Sequence, residues 1–369
     1  MDSRIEKLAD LLVNYSVEVQ PGQKVAISGA TLGEPLLKQV YAAVLKAGGY
    51  PSLIVSLPDA QAIMYEYASD DQLEHPSDIR AHVVETFDAL ISVRADANTK
   101  ALSNVPPPRI RKAQTASGQL SQRMLQRASA GEIKWVATTF PTNAYAQDAE
   151  MSLMEFEDFV YGACLPDPDD PVGYWKAIAA KQAKIIDWLE TKNEIHVIGP
   201  GTDLRMSIAG RKFMNAACQN NVPDGEIYTG PVEDSVNGHV SFSYPAINLG
   251  REVSGVRLWF EDGAVVKAEA DKNEAYLHER LKTDAGADRL GEFAIGTNEG
   301  IDRFIGQILF DEKIAGSFHV ALGRGYPDTG SQNRSAVHWD MICDLRDGGE
   351  ISADGEVFHK DGQFVIDLP

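Results

Sequence analysis

Lys24-Val25-Ala26-Ile27-Ser28-Gly29 is a short apolar run, set off from the preceding residues by the turn Pro21-Gly22. A run of this length bounded by turn residues reads as a buried strand. Residues 33–47 follow with helical apolar spacing and end at Gly48-Gly49. Pro51-Ser52-Leu53-Ile54-Val55-Ser56-Leu57 then reads as the next strand. This order makes a parallel βαβ unit, because a parallel partner needs a crossover long enough to hold a helix. Outward from this unit, Ile5, Leu8, Leu11, Leu12 and Tyr15 give residues 3–17 helical spacing. Phe87–Val93 and Ile133–Thr138 read as further strands of the same sheet. After the proline-rich break Pro166–Pro171, a helix is expected at about 173–192. Residues 1–194 are therefore expected to form an α/β domain with a mostly parallel sheet.

After Gly199-Pro200-Gly201-Thr202-Asp203 the texture changes to short, strand-like segments separated by turns such as Pro223-Asp224-Gly225. Arg257–Lys267 is a hairpin around Glu261-Asp262-Gly263. Residues 195–369 are expected to form a second, β-rich α+β domain with helices at about 272–285 and 300–310. Two domains also suit a chain of 369 residues, which is too long for one ordinary core.

The chain carries 54 acidic and 34 basic residues, a formal charge of −20. That balance repels nucleic acid and anionic membranes and attracts cationic ligands or metal ions. The N-terminus has no signal-peptide pattern and no apolar run reaches a membrane span, so a cytoplasmic location without membrane or nucleic-acid partners is expected. Cys164, Cys218 and Cys343 are too scattered for a disulfide framework or a cysteine zinc site. No phosphate-binding glycine loop and no G-x-S-x-G is present. Pro106-Pro107-Pro108 with Arg109, Arg111 and Lys112 reads as a solvated loop leading into a helix.

Four C-terminal segments share one pattern. In Ser335–Ile342, strand alternation puts His338 and Asp340 on one face and Val337, Trp339 and Met341 on the other. In Ser317–Leu322, His319 opposes Phe318, Val320 and Leu322. Gly225-Glu226-Ile227-Tyr228 and Gly291-Glu292-Phe293 set a carboxylate beside an apolar residue in the same way. A lone histidine in such a place is more often a hydrogen-bonded core residue, and a lone strand glutamate is more often solvated. His338-x-Asp340 is the more telling pair, since a spacing of two aims both side chains at one centre. Periodicity by itself leaves a metal site and an ordinary polar face both open.

Asp224–Pro231, Arg289–Ala294, Phe310-Asp311-Glu312, His319–Pro327 and His338-Trp339-Asp340 together resemble the ordered motifs of the aminopeptidase T and aminopeptidase S family of metallopeptidases. Gly199–Leu204, Val236-Asn237-Gly238, Trp135 with Phe140-Pro141-Thr142, and Ala146-Gln147 extend the likeness over essentially the whole chain. The resemblance implies an N-terminal α/β domain and a C-terminal catalytic domain holding two divalent metal ions. It implies Glu226, Glu292, Glu312, His319, His338 and Asp340 as ligands, with Glu292 bridging and catalytic; Glu312 matches on a variable spacing. It further implies Tyr326 as the residue that stabilises the reaction intermediate, peptide substrates with a free N-terminus, and a homodimer. Only eighteen residues separate His319 from His338, where family members can carry a longer loop that shapes the substrate pocket.

The activity expected on this basis is removal of N-terminal residues through a hydroxide activated by the two metals. Carboxylate and imidazole ligands suit zinc, cobalt or manganese. The alternative is a non-haem iron ring-cleaving dioxygenase on the same scaffold, using His319, His338 and Asp340 as a two-histidine, one-carboxylate set. Glu226 and Glu292 weigh towards hydrolysis. A third possibility is an acidic binding protein that keeps the fold without the activity.

Overall fold

The computed structural model describes residues 2–248 and 250–366, which form two compact units. In the first, strands β1 (Lys24–Ala30), β2 (Tyr50–Ser56), β3 (Ala89–Arg94) and β4 (Lys134–Thr139) build a parallel sheet in the order β2-β1-β3-β4. The short strand Asn221–Val222 adds in parallel to β4. Helix Glu34–Lys46 makes the crossover from β1 to β2, burying Leu36, Leu37, Val40 and Val44 at helical spacing. The N-terminal helix Ser3–Asp10 runs on as a wider-turned segment, Leu11–Ser16, and buries Leu8, Leu11 and Leu12. The tri-proline segment does not precede a helix as a loop. Helix Pro107–Ser129 begins within it, because proline is pre-organised for a first helical turn and lacks only an N–H that would be unsatisfied there. Its cations serve the fold: Arg109 donates to the Tyr65 carbonyl at 2.8 Å, and Lys112 pairs with Asp70 at 2.7 Å.

The second unit is built on two large sheets, with a two-stranded ribbon of Ala246–Asn248 and Arg251–Val253 beside them, and is β-rich as its sequence indicates. An eight-stranded antiparallel sheet includes Glu194–Gly199, Thr202–Ser207, the hairpin Arg257–Glu261 and Ala264–Glu269, and the C-terminal strands Glu350–Ala353 and Glu356–Lys360. The other large sheet is antiparallel and made of β5 (Met214–Ala216), β6 (Glu226–Thr229), β7 (Leu290–Gly296), β8 (Ser317–Gly323) and β9 (His338–Asp344), adjacent in that order. One apolar core joins the sheets: Ile195, Val197, Leu204 and Met206 from the first meet Phe293, Ile295, Phe318, Val320, Trp339 and Met341 from the second. Burial of these large side chains supplies the main driving force for the unit, at about 25 cal/mol per Å² of apolar surface removed from water.

The change of sequence texture puts the domain boundary between 194 and 195, whereas the contacts divide the chain differently. The first unit runs through Tyr174 and takes in Cys218–Pro223; the second holds Trp175–Ala217 and the chain from Asp224 onward. The cause is helix Pro171–Leu189, whose Ile185, Ile186 and Leu189 enter the second unit's core. Of the two helices expected in this half, Glu274–Leu281 is present. The stretch expected at 300–310 is helical only over Ile308–Asp311. Gly306 adopts φ +75°, which interrupts a helix, and the Asp311 carboxylate accepts the Ile305 N–H at 2.7 Å to pin the loop instead. Among the described residues, no helix is long and apolar enough to cross a membrane.

His359, on strand Glu356–Lys360, is 0% exposed, and neither ring nitrogen has a hydrogen-bond partner among the described residues. Its ring meets Phe364 edge-on at 5.1 Å. Burial pushes its pKa from 6.5 down to about 4, so the folded protein keeps the ring neutral while the unfolded chain protonates it. Stability is therefore complete above about pH 6.5 and declines as the pH falls towards 4, by on the order of 3 kcal/mol from this residue. The His359→Phe variant should show a flatter fall of thermal midpoint over that window than the parent protein. Parallel curves would show that His359 does not carry the effect.

Candidate metal centre

The two faces of the β5–β9 sheet have opposite chemistry. Its inner face is the apolar core; its outer face presents Glu226 and Tyr228 on β6, Glu292 on β7, His319 on β8, and His338 and Asp340 on β9. Alternation alone would send Leu290 and Glu292 to the same face. A β-bulge between them breaks the register, so Leu290 stays in the core while Glu292 points outward. Gly291 makes the bulge possible, because a Cβ there would lie 2.3 Å from the Gly323 carbonyl oxygen.

Cross-strand neighbours on the polar face leave room for these groups. Gly296 pairs with Glu226, Ala294 with both Tyr228 and His319, Ala321 with both Glu292 and Asp340, and Gly323 with His338. Each long polar side chain thus has, on at least one side, a neighbour with at most a methyl group. Small neighbours let the carboxylates and imidazoles converge above the sheet.

Their convergence is close. His319 Nε2 lies 3.5 Å from Glu226 Oε2 and 3.7 Å from Glu292 Oε1. His338 Nε2 lies 3.5 Å from Glu292 Oε2 and 3.4 Å from Asp340 Oδ1. The two oxygens of Glu292 therefore address different histidines. Three sets of potential ligand atoms, each within 4.8 Å of one another, come from Glu226, Glu292 and His319; from Glu292, His338 and Asp340; and from Glu312, His319 and Asp340. Glu312 enters from the end of helix Ile308–Asp311, and Tyr326 from the segment after β8, its ring 5.5 Å from that of His338.

The electrostatics follow from burial of like charges. Burial pushes the Glu226 carboxyl up, against the opposing pull of Lys313, and pushes Glu292 up against the pull of His319 and His338. Burial opposes charge on the histidines too, yet the surrounding carboxylates hold His319 at about 9 and His338 at about 10. Asp340, for all its burial, is held at about 2 by His338. The field that keeps a proton on each ring attracts any cation. His338 Nδ1 lies 2.8 Å from the Arg324 carbonyl, which can only accept, so Nδ1 donates and Nε2 is turned to the carboxylates.

These residues fit a divalent cation. Oxygen donors with imidazole suit hard to borderline ions. One buried ligand-type oxygen, Glu226 Oε2, has no hydrogen-bond partner among the described residues, a costly state unless something else satisfies it. All six candidate ligands named from the sequence, and Tyr326, are brought into this one site.

Three residues escaped the sequence reading. Tyr228 shares a face with Glu226, so alternation could have found it; its ring lies 5.3 Å from that of Tyr326. Lys313 is 0% exposed, with Nζ 3.4 Å from Glu226, 4.0 Å from Asp224, and hydrogen-bonded to Glu312. Nothing in the sequence around Lys313 or Asp224 signals burial.

Comparison with known proteins places the chain in a family. Residues 1–364 match the family described as thermophilic metalloprotease, M29. Aminopeptidase 2 of Geobacillus stearothermophilus is 26% identical over 412 aligned residues, covering 100% of this chain and 99% of its own. The solved structure of wild-type AmpT from Thermus thermophilus superposes with a TM-score of 0.87 at 23% identity, covering 99% of both chains. A 2,5-dihydroxypyridine dioxygenase from Pseudomonas putida KT2440 shares the fold at a TM-score of 0.59 and 12% identity, covering 99% of this chain and 98% of its own. Since the family's model matches nearly the whole chain, the chain belongs to the M29 family of metalloproteases.

Proposed function

We propose that this metallo-aminopeptidase would hold two divalent cations and remove residues from the free N-terminus of peptides. Glu226, Glu292 and His319 would hold one cation, Glu292, His338 and Asp340 the other, and Glu312 would complete the shell. The observation that carries the reading is Glu292, whose two oxygens face two different histidines. Charge favours cations here as well. Asp224, Glu226, Glu292, Glu312 and Asp340 gather around Lys313 and the histidines, and grouped buried carboxylates are costly unless positive charge offsets them.

Bound there, such ions polarise a carbonyl and make water acidic enough to act as a nucleophile near neutral pH. The protein does the rest. Burial, with Glu292 and Asp340 next in effect, raises the Tyr326 pKa, so its phenol keeps the proton it donates to the oxygen that gains charge as the peptide carbonyl is attacked. Tyr326 is 37% exposed and so is reachable by substrate. The carboxylate-rich site would receive the α-ammonium group of the substrate, which limits cleavage to one residue at a time. Zinc, cobalt or manganese fits the donor set. A homodimer is part of the proposal on the family resemblance alone, and a cytoplasmic location on the sequence reading of the N-terminus and hydropathy. The dioxygenase reading is disfavoured by the ligand geometry, since none of the three close sets contains both histidines.

Elemental analysis of protein purified without chelator should find about two divalent ions per chain. One iron per chain, with oxygen consumed on an aromatic substrate, would instead establish the dioxygenase. Peptides with a free N-terminus should be trimmed stepwise while their N-acetylated counterparts stay nearly inert; cleavage of both at similar rates would rule out an exopeptidase. Glu292→Gln should lower turnover by several orders of magnitude and loosen at least one cation. The variant should still fold without metal, because Phe293, Ile295, Phe318 and Trp339 pack on the opposite face. Retention of both cations with normal turnover would remove Glu292 from the site.

A further inference from the structure

Lys313 is a fully buried ammonium, and every partner it has is an acid of the candidate metal centre or its border. A lysine is almost never fully buried without such pairing. Its contacts divide the carboxylates. Glu226 gives Oε1 to Lys313 at 3.4 Å while Oε2 turns to His319 Nε2 at 3.5 Å. Glu312 likewise gives one oxygen to the ammonium and also stands within ligand distance of His319 and Asp340. Asp224, 1% exposed and 4.0 Å from Nζ, is the third acid of the cluster.

We propose that Lys313 is a positioning residue of the metal centre: it engages one oxygen of Glu226 and of Glu312, so that each offers the other to the cation shared with His319. The inference rests on the metal-site reading above. A carboxylate free to rotate can chelate one ion with both oxygens or swing towards the second ion. One held by an ammonium offers a single lone-pair direction. Residues that orient ligands in this way commonly change metal affinity about 10–100-fold when removed.

The sign of the effect separates positioning from simple charge. Removing a positive charge from beside two cations strengthens their attraction to the site, so a lysine acting only through charge would weaken binding, and its loss would tighten both ions. Loss of positioning does the opposite, and only at the Glu226–His319 side. Because Lys313→Met leaves three buried acids without their counter-ion and can compromise folding, the double variant Lys313→Met/Asp224→Asn is tested beside it. That pair removes one charge of each sign.

The experiment titrates cobalt(II) into chelator-stripped parent and variants, reading visible absorption and competition with a chromophoric chelator, with thermal unfolding of the metal-free proteins alongside. The parent should bind two ions. In the double variant one ion should bind at least about tenfold more weakly with an altered cobalt spectrum, while the other keeps its affinity. Two ions bound as tightly as in the parent, or more tightly, would overturn the role of Lys313 and leave the metal site standing. A parent that binds fewer than two ions would overturn the two-cation reading itself, and the inference with it.

Discussion

Burial of several carboxylates in one place is the constraint that organises the second unit. Glu226 and Glu292 are as buried as core residues, and Asp340 and Glu312 are nearly so. Grouped anions repel one another and lose their hydration, so such a cluster persists only where positive charge is supplied. Lys313 supplies some of it permanently, and the imidazoles of His319 and His338 take up protons in response. A divalent cation meets the same need with a larger charge and a closer approach. Metal affinity and the cost of the fold are thus two aspects of one electrostatic problem.

The sandwich lets the protein bear that cost. Core and site occupy opposite faces of a single sheet, so Phe293 and Glu292, or Trp339 and Asp340, are sequence neighbours with unrelated duties. Apolar burial on one face offsets charge burial on the other. The strand backbone, hydrogen-bonded on both sides in β6, β7 and β8, fixes the ligands rigidly to that core. Rigid mounting suits a catalytic metal site, since a displacement of about 1 Å can cost a hundredfold in rate.

Aromatic and backbone contacts refine the arrangement. Tyr326 packs against the rings of both Tyr228 and His338, which limits where its phenol can go. The Arg324 carbonyl orients His338 from behind. Lys313 performs the corresponding office for the carboxylates on the His319 side. The site is therefore held from several directions by groups that do not themselves need to touch the substrate.

Sequence by itself determined the parts governed by short periods. Apolar runs and helical spacing gave the βαβ unit at residues 24–57, and alternation gave the two-faced strands that carry His319, His338 and Asp340. The order of motifs tied these segments to a metallopeptidase family. Tertiary structure alone decided what depends on distant segments meeting. The bulge at Gly291 follows from the close approach of Gly323, some thirty residues on, and it is this bulge that sends Glu292 to the polar face. Helix Pro171–Leu189 belongs to the second core because Ile185 and Leu189 find partners there, a choice its amphipathic pattern does not reveal. The stretch at 300–310 carries a helical pattern that Gly306 and the pinning Asp311 override. Lys313 reads as an ordinary surface lysine until Asp224 and Glu226, nearly ninety residues earlier, are folded against it, because burial is a property of the surroundings and not of the residue.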